Sequence, residues 1–200
     1  KYDKFLTGRA NLTAQETLGL TLFEGIAGCA ACHPNRPGPA GEPPLFTDFS
    51  YDNIGIPRND ENPFYGMPSV FNPDGAEFAD PGLGGFLADQ GFPSGVFGPQ
   101  VGKHKVPTLR NVDRRTSQGF VKAYGHNGFF KSLEEIVHFY NTRDVETWPP
   151  PEVPQNVNIS ELGNLHLTPG DERAIVAYLR TLTDENSDPV LCPADFDRNG

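Results

Sequence analysis

A short run in the first fifth of the chain carries its clearest chemistry, because it reads Cys29-Ala30-Ala31-Cys32-His33. Two cysteines separated by two residues and followed at once by histidine form the attachment motif of a c-type haem. The thiols bond to the macrocycle, and the imidazole binds the iron from one side. A thioredoxin-type dithiol does not require the histidine, and a zinc knuckle needs a second ligand pair, whereas only Cys192 remains. The run therefore predicts one covalent haem c with His33 as an axial ligand.

The residue that binds the opposite side of the iron is indicated less directly. Met67 is the only methionine and a soft candidate ligand, but a lone methionine is more often a packing residue. The remaining imidazoles are further candidates: His104, His126, His138 and His166. Tyr140 shares a helical face with apolar residues, whereas His138 points about 200° away from it by the helical period. If that face covers the haem, Tyr140 can approach the iron, although a buried tyrosine is also commonly a packed ring.

Three predicted helices position these residues. The first begins after Thr13 in a capping box and ends at residues 25–28, just before the haem motif. The second begins after Ser132, in a similar box, and carries Tyr140. The third begins after Thr168, with a proline in its first turn. Apolar residues recur at helical spacing in each helix: Leu18, Leu22 and Ile26; Leu133, Ile136, Val137 and Tyr140; Ile175, Leu179 and Leu182. This order of elements predicts a mostly α, cytochrome c-like haem domain.

Residues 34–107 differ from the rest, because they hold most of the 20 prolines and more than half of the 22 glycines. Such a composition rules out long helices. Low-complexity disorder is one interpretation, but disordered segments are poor in aromatic residues. This segment contains Phe46, Phe49, Phe64, Phe71, Phe78, Phe86, Phe92 and Phe97. It is therefore predicted to form long, ordered Pro/Gly-rich loops whose rings cover the haem.

Length and charge bound the other properties. The 200 residues suit a haem domain at 1–186 followed by a tail at 187–200. A formal net charge of −10 argues against a nucleic-acid or anionic-membrane partner and favours a cationic or neutral one. The sequence contains no apolar stretch of about 18 residues, so no membrane span is predicted. Because no leader is visible at Lys1 and haem c is attached outside the cytoplasm, a mature, periplasmic or otherwise exported protein is expected.

The chain resembles the C-terminal haem domain of bacterial di-haem cytochrome c peroxidases and MauG-type enzymes. Besides the haem motif, the resemblance is carried by the blocks 22–25, 46–48, 53–57, 106–112, 124–128, 132–135 and 165–168. These specific blocks occur in the same order over nearly all of residues 10–184. In the peroxidases a methionine placed like Tyr140 completes the coordination of this haem, whereas MauG-type members use a tyrosine. The resemblance therefore implies iron ligation by Tyr140, a hard anionic ligand that lowers the reduction potential.

The same resemblance implies a function. It places the chain in a peroxide-dependent haem oxidoreductase, where it would transfer electrons and store oxidising equivalents. Hydrogen peroxide would react at a second haem domain or subunit, and a separate redox partner protein would be needed. This sequence has only one haem motif, so two alternatives stay open: a simple mono-haem electron-transfer cytochrome, and a five-coordinate haem peroxidase. The latter needs a distal acid–base group, for which Glu77, His104 and His138 are candidates.

Several further residues have candidate roles. Arg110 could pair with a haem propionate, because a guanidinium fork suits a carboxylate. His126 could form a hydrogen bond near the haem edge or stabilise a turn. The family also holds a calcium ion with backbone carbonyls, whose equivalents here are residues 121–124. A second candidate calcium ligand set is Asp195, Asp197 and Asn199, which match the first half of a calcium loop, with a plain acidic tail as the alternative.

Overall fold

The computed structural model describes residues 1–115, 120 and 122–184. Its helices are α1 (Tyr2–Leu6), α2 (Ala14–Glu24), α3 (Gly82–Asp89), α4 (Ser94–Phe97), α5 (Leu133–Thr142) and α6 (Pro169–Arg180). Its strands are β1 (Tyr51–Asp52) and β2 (His104–Lys105), and short 3-10 helices lie at Cys29–Ala31, Pro63–Gly66, Gly75–Glu77 and Gly98–Gln100. The described part is therefore mostly helical with little sheet, as the sequence predicts.

The predicted starts of α2 and α6 are confirmed by their capping boxes. Thr13 accepts a hydrogen bond from the backbone N–H of Glu16 at 3.2 Å, and the Glu16 carboxylate accepts one from the Thr13 N–H at 2.7 Å. Thr168 and Asp171 make the same reciprocal pair at the start of α6, with Pro169 in the first turn. Each box satisfies amide groups that have no partner within the helix.

Only one of the two hydrogen bonds of the capping box predicted for α5 is present. The Ser132 hydroxyl accepts from the Glu135 N–H at 3.1 Å, as a cap should. The Glu135 carboxylate, however, accepts from the N–H of Lys131 at 2.6 Å rather than from that of Ser132. The helix still begins where the sequence indicates, because the side-chain cap on its first turn is intact.

The packing of α2 against α6 corrects the predicted apolar face of α2. Leu18 and Ile26 are 45% and 64% exposed, whereas Gly19 and Phe23 are buried. A Cβ atom on Gly19 would lie 1.9 Å from the carbonyl oxygen of Ala174 in α6. The two backbones therefore approach each other at a glycine, and the contact face rotates away from the leucine stripe.

The core lies where α2, α5 and α6 meet the N-terminal helix α1. The apolar stripe predicted for α6 is buried, with Ile175, Leu179 and Leu182 all in this core. The ring of Tyr178 packs edge-on against Tyr2, at 5.2 Å between centroids. It also packs against Phe23 at 5.1 Å. Such edge-to-face contacts add to the stabilisation from apolar burial.

The Pro/Gly-rich segment folds into loops and the short helices α3 and α4, and a two-stranded antiparallel sheet joins two of its parts. In this sheet Tyr51 pairs with Lys105, and Asp52 pairs with His104. The backbone pairing continues through a hydrogen bond from the Val106 N–H to the carbonyl of Ser50. Residues around position 50 are thereby held beside residues around position 106. Among the described helices, none combines the length and apolar composition that crossing a membrane requires.

Candidate haem-binding site

The haem motif begins just after α2 and is folded into a tight turn. Gly28 adopts a left-handed conformation with φ of +65°, which turns the chain from the end of α2 into the 3-10 helix Cys29–Ala31. The His33 N–H then donates to the carbonyl of Cys29 at 2.9 Å. This turn holds both cysteines and the histidine within one compact segment, as attachment to a single macrocycle requires.

His33 is oriented by a backbone carbonyl. Its Nδ1 lies 2.8 Å from the carbonyl oxygen of Phe46, and since a carbonyl can only accept, Nδ1 carries the proton. The other ring nitrogen, Nε2, then presents its lone pair to a metal. Burial lowers the pKa of His33, against the opposing effect of the bond to Phe46, and so favours the neutral imidazole that binds iron. Phe46 itself has a left-handed backbone with φ of +54°, which is rare for a bulky residue.

Two of the sequence blocks meet at this histidine. The N–H of Asp48 donates to the carbonyl of Cys32 at 3.0 Å, which joins the 46–48 block to the haem motif. The Thr47 hydroxyl donates to the carbonyl of Val106 at 2.6 Å. The Thr108 hydroxyl donates to the carbonyl of Leu45 at 2.6 Å. The blocks 46–48 and 106–112 therefore form one hydrogen-bonded support for the His33 side of the site.

The cysteines have the properties of protonated thiols. Burial raises the pKa of Cys29 to about 12 and also raises the pKa of Cys32. A dithiol that works by thiol–disulfide exchange has instead a depressed thiol pKa. Neither thiol is in a disulfide. Among the described residues, no group of three or more His, Cys, Asp or Glu side chains is placed to hold a metal ion.

Tyr140 lies on α5, with its phenol group within electrostatic range of both motif cysteines. Burial raises its pKa, and Cys29, Cys32 and Asp52 raise it further. Its hydroxyl makes no hydrogen bond within the part of the chain that the structure describes. Arg143 opposes these effects and lowers the pKa of the phenol. The phenolate form thus needs additional positive charge, such as a ferric ion would supply.

Arg110 already has protein partners, and Met67 lies at the surface. The Arg110 guanidinium makes a two-pronged pair with Asp3, at 3.0 and 2.9 Å, and its Nε donates to the carbonyl of Pro44 at 2.8 Å. Met67 is 42% exposed, directly after the 3-10 helix Pro63–Gly66. A propionate contact by Arg110 and iron ligation by Met67 stay predictions. The candidate calcium ligands Asp195, Asp197 and Asn199 lie outside the described residues, as does Val121.

His126 belongs to a polar network that gives no signal in the sequence. Its Nε2 lies 2.8 Å from a carboxylate oxygen of Glu152, which also accepts from the Asn127 amide at 2.7 Å. The ring stacks on His104 with centroids 3.8 Å apart and planes within 7°. Burial alone would raise the pKa of Glu152, but these hydrogen bonds outweigh it and lower the pKa to about 2. A role for His126 at the haem edge stays a prediction.

The chain is similar in sequence to MauG and to a cytochrome-c peroxidase. No protein-family model matches it. Methylamine utilization protein MauG of Paracoccus denitrificans is 35% identical over 204 residues, which cover 96% of this chain and 48% of that protein. Cytochrome-c peroxidase IdrP2 of Denitromonas iodatirespirans is 29% identical over 198 residues, which cover 92% of this chain and 44% of that protein.

The fold leads to the same group of proteins. The crystal structure of the diheme peroxidase BthA from Burkholderia thailandensis matches with a TM-score of 0.72 and 32% identity, covering 92% of this chain and 46% of that one. The chain thus spans about half the length of the relatives it matches. Sequence and fold agree over nearly all of its residues, and the chain belongs to the family of MauG and the di-haem peroxidases.

Proposed function

We propose that this chain is a c-type haem unit of a MauG-like or peroxidase-like oxidoreductase. Cys29 and Cys32 would hold the haem covalently, His33 Nε2 would bind the iron on one side, and Tyr140 would bind it on the other. The unit would transfer electrons and store oxidising equivalents in a peroxide-dependent reaction. The proposal follows from the site's own geometry, and the family of the chain supports it.

The observation that carries the proposal is the pairing of an oriented histidine with an unpartnered phenol. The Phe46 carbonyl fixes the proton of His33 on Nδ1, so that the lone pair on Nε2 is available. Tyr140 interacts electrostatically with the same two thiols and has no hydrogen-bond partner among the described residues. Tyr140 is half-buried, so its hydroxyl is open to a ligand bound beside these thiols.

The haem supplies one-electron exchange between its oxidation states when it is bound. The residues of the chain determine how that exchange is tuned. A phenolate is a hard anion, so Tyr140 would favour ferric iron and a lower reduction potential than a methionine thioether would give. The neutral imidazole of His33 avoids placing unpaired charge in the site.

The proposed setting extends beyond this chain. Because its relatives are twice as long and one is named a diheme peroxidase, we propose that it acts with a second haem domain or subunit. Hydrogen peroxide would react at that second haem, and a separate redox protein would exchange electrons with the assembly. Covalent haem attachment favours a periplasmic or otherwise exported location.

Axial ligation by Tyr140 is tested by Tyr140→Phe in the haem-loaded protein. We expect the ferric optical and electron paramagnetic resonance spectra to change from low-spin to high-spin, because the iron loses one ligand. Tyr140→Met should restore a low-spin haem with a higher reduction potential. Tyr65→Phe is the matched control, because it removes the hydroxyl of a different tyrosine, which bonds to Glu152 at 3.3 Å. A low-spin spectrum that is the same in Tyr140→Phe and wild type would overturn the ligation.

The reaction class is tested separately, by peroxide consumption. The haem-loaded protein, together with its second haem, should oxidise a reduced electron donor when peroxide is added. An assembly that exchanges electrons with the donor but leaves peroxide unconsumed would instead be a simple electron-transfer cytochrome.

A further inference from the structure

Arg143 is a buried cation held at the end of α5 by backbone carbonyls. Its side chain is only 6% exposed. One guanidinium nitrogen, Nη1, donates to the carbonyl of Ile54 at 3.0 Å, and Nη2 donates to the carbonyl of Leu162 at 3.3 Å. Packing reinforces this placement, since a Cβ atom on Gly55 would lie 3.4 Å from the Arg143 Cδ. The guanidinium is therefore fixed between two loops and the helix.

The position of Arg143 directs its charge towards Tyr140. It lies three residues after Tyr140 and keeps helical backbone angles, with φ of −47° and ψ of −38°. Residues three apart are neighbours on a helix surface, and helical side chains lean towards the preceding turn. The cation thus lies on the turn next to the phenol that is proposed to bind the iron.

The counter-charge of Arg143 lies on the solvent side. Asp144 pairs with the guanidinium through two bonds of 2.7 Å, and its side chain is 38% exposed. Water screens an exposed charge more than a buried one. The ion pair is therefore oriented, with its positive end in the interior and its negative end partly in solvent. Its field at Tyr140 is not cancelled.

We propose that the Arg143–Asp144 pair sets the reduction potential of the haem bound between His33 and Tyr140, with Arg143 raising the potential and Asp144 opposing it. This inference rests on the proposed ligation by Tyr140 and adds a positioning role for a residue pair outside the ligand set. The physical reason is that a nearby cation stabilises the reduced iron, which carries one positive charge fewer. The two substitutions should therefore shift the potential in opposite directions.

The test is a measurement of midpoint potentials on haem-loaded variants, with ferric and ferrous spectra recorded alongside to monitor the ligands. In Arg143→Met the equilibrium constant for one-electron reduction should fall about tenfold, a shift of about 59 mV. In Asp144→Asn the potential should rise. Arg143→Lys keeps the charge without the fork and should shift less than Arg143→Met.

Arg58 provides the matched control. It also donates to two backbone carbonyls, those of Phe78 and Ala76, and pairs with Asp60 at 3.2 Å. Arg58→Met removes a carbonyl-bonded cation that belongs to a different loop and is 31% exposed, so it should leave the potential unchanged. Equal shifts in Arg58→Met and Arg143→Met would overturn the proposal, as would shifts of the same sign in Arg143→Met and Asp144→Asn. These readings are independent of Tyr140→Phe, whose unchanged spectrum would instead overturn the ligation itself.

Discussion

Phe46 connects backbone conformation with metal chemistry at the scale of a single residue. Its carbonyl accepts the Nδ1 proton of His33, and it does so from a left-handed conformation with φ of +54°. Residues in such sparsely populated conformations typically store about 1–3 kcal/mol of strain and often lie at functional sites. The ring of Phe46 is fully buried and offsets this strain by packing.

Glu152 is a second residue with an effect that can be measured. Its side chain is only 2% exposed, and its carboxylate accepts from His126 and Asn127. We expect Glu152→Gln to lower the free energy of unfolding at pH 7 by about 2 kcal/mol, because hydrogen bonds to a charged group are lost. Chemical denaturation measures this change, with the exposed Glu61→Gln as a control expected to be neutral.

The pH dependence of the same variant gives a sharper prediction. The pKa of Glu152 is lowered from 4.5 to about 2 in the folded protein. The stability that comes from its charge is therefore fully present above pH 4.5 and is lost as the pH falls towards 2. The difference in unfolding free energy between wild type and Glu152→Gln should shrink over this range. A difference that stays constant from pH 5 to pH 2.5 would contradict it.

Single residues also show what the sequence could predict. The haem motif is local, so Cys29, Cys32 and His33 are recognisable from five consecutive letters. The partner of His33 is a backbone carbonyl, which every residue type carries, and so nothing in the sequence distinguishes Phe46 from its neighbours. The stacking of His104 on His126 joins strand β2 to a loop that is distant in sequence, and it follows no helical or strand period.

Helix ends were more predictable than helix faces. The starts of α2 and α6 depend on side chains three residues apart, a pattern that is visible in the letters. The buried face of α2 depends instead on how closely another backbone approaches. Gly19 has little hydropathy of its own, so a search for apolar spacing selects Leu18 and overlooks the glycine that permits the contact. The short helices α1, α3 and α4 have too few residues to show a period.

The contact between α2 and α6 is testable at Gly19. Gly19→Ala would place a methyl group 1.9 Å from the Ala174 carbonyl oxygen. We expect it to destabilise the protein by about 1–3 kcal/mol, as overpacking does, although alanine normally favours a helix. Thermal unfolding measures the effect.

Gly95 in α4 provides the control for this change. A Cβ atom there meets nothing within 4 Å, so Gly95→Ala should be neutral or slightly stabilising. Equal melting temperatures for Gly19→Ala and Gly95→Ala would show that the two helices can separate without loss.

For the whole molecule, net charge is the property that controls encounters with partners. The formal charge of −10 should attract cations and repel anions over distances comparable to the Debye length. We therefore expect a small cationic one-electron reagent to react with the haem-loaded protein faster than an anionic reagent of similar size and potential. The ratio of the two rates should fall as ionic strength rises from about 0.01 to about 0.15 M, because the Debye length shortens from about 30 to about 8 Å. A ratio that is independent of salt would show that the net charge does not guide electron exchange.

Covalent attachment of one haem to this chain is the claim on which the other functional proposals depend. It is tested most directly by the absorption and mass of the purified polypeptide after denaturation and removal of small molecules. We predict a Soret band that stays with the chain and a mass increased by one haem, both lost when Cys29 and Cys32 are replaced by alanine. A colourless polypeptide of unmodified mass, from a host that attaches haem c to other proteins, would contradict attachment at these cysteines.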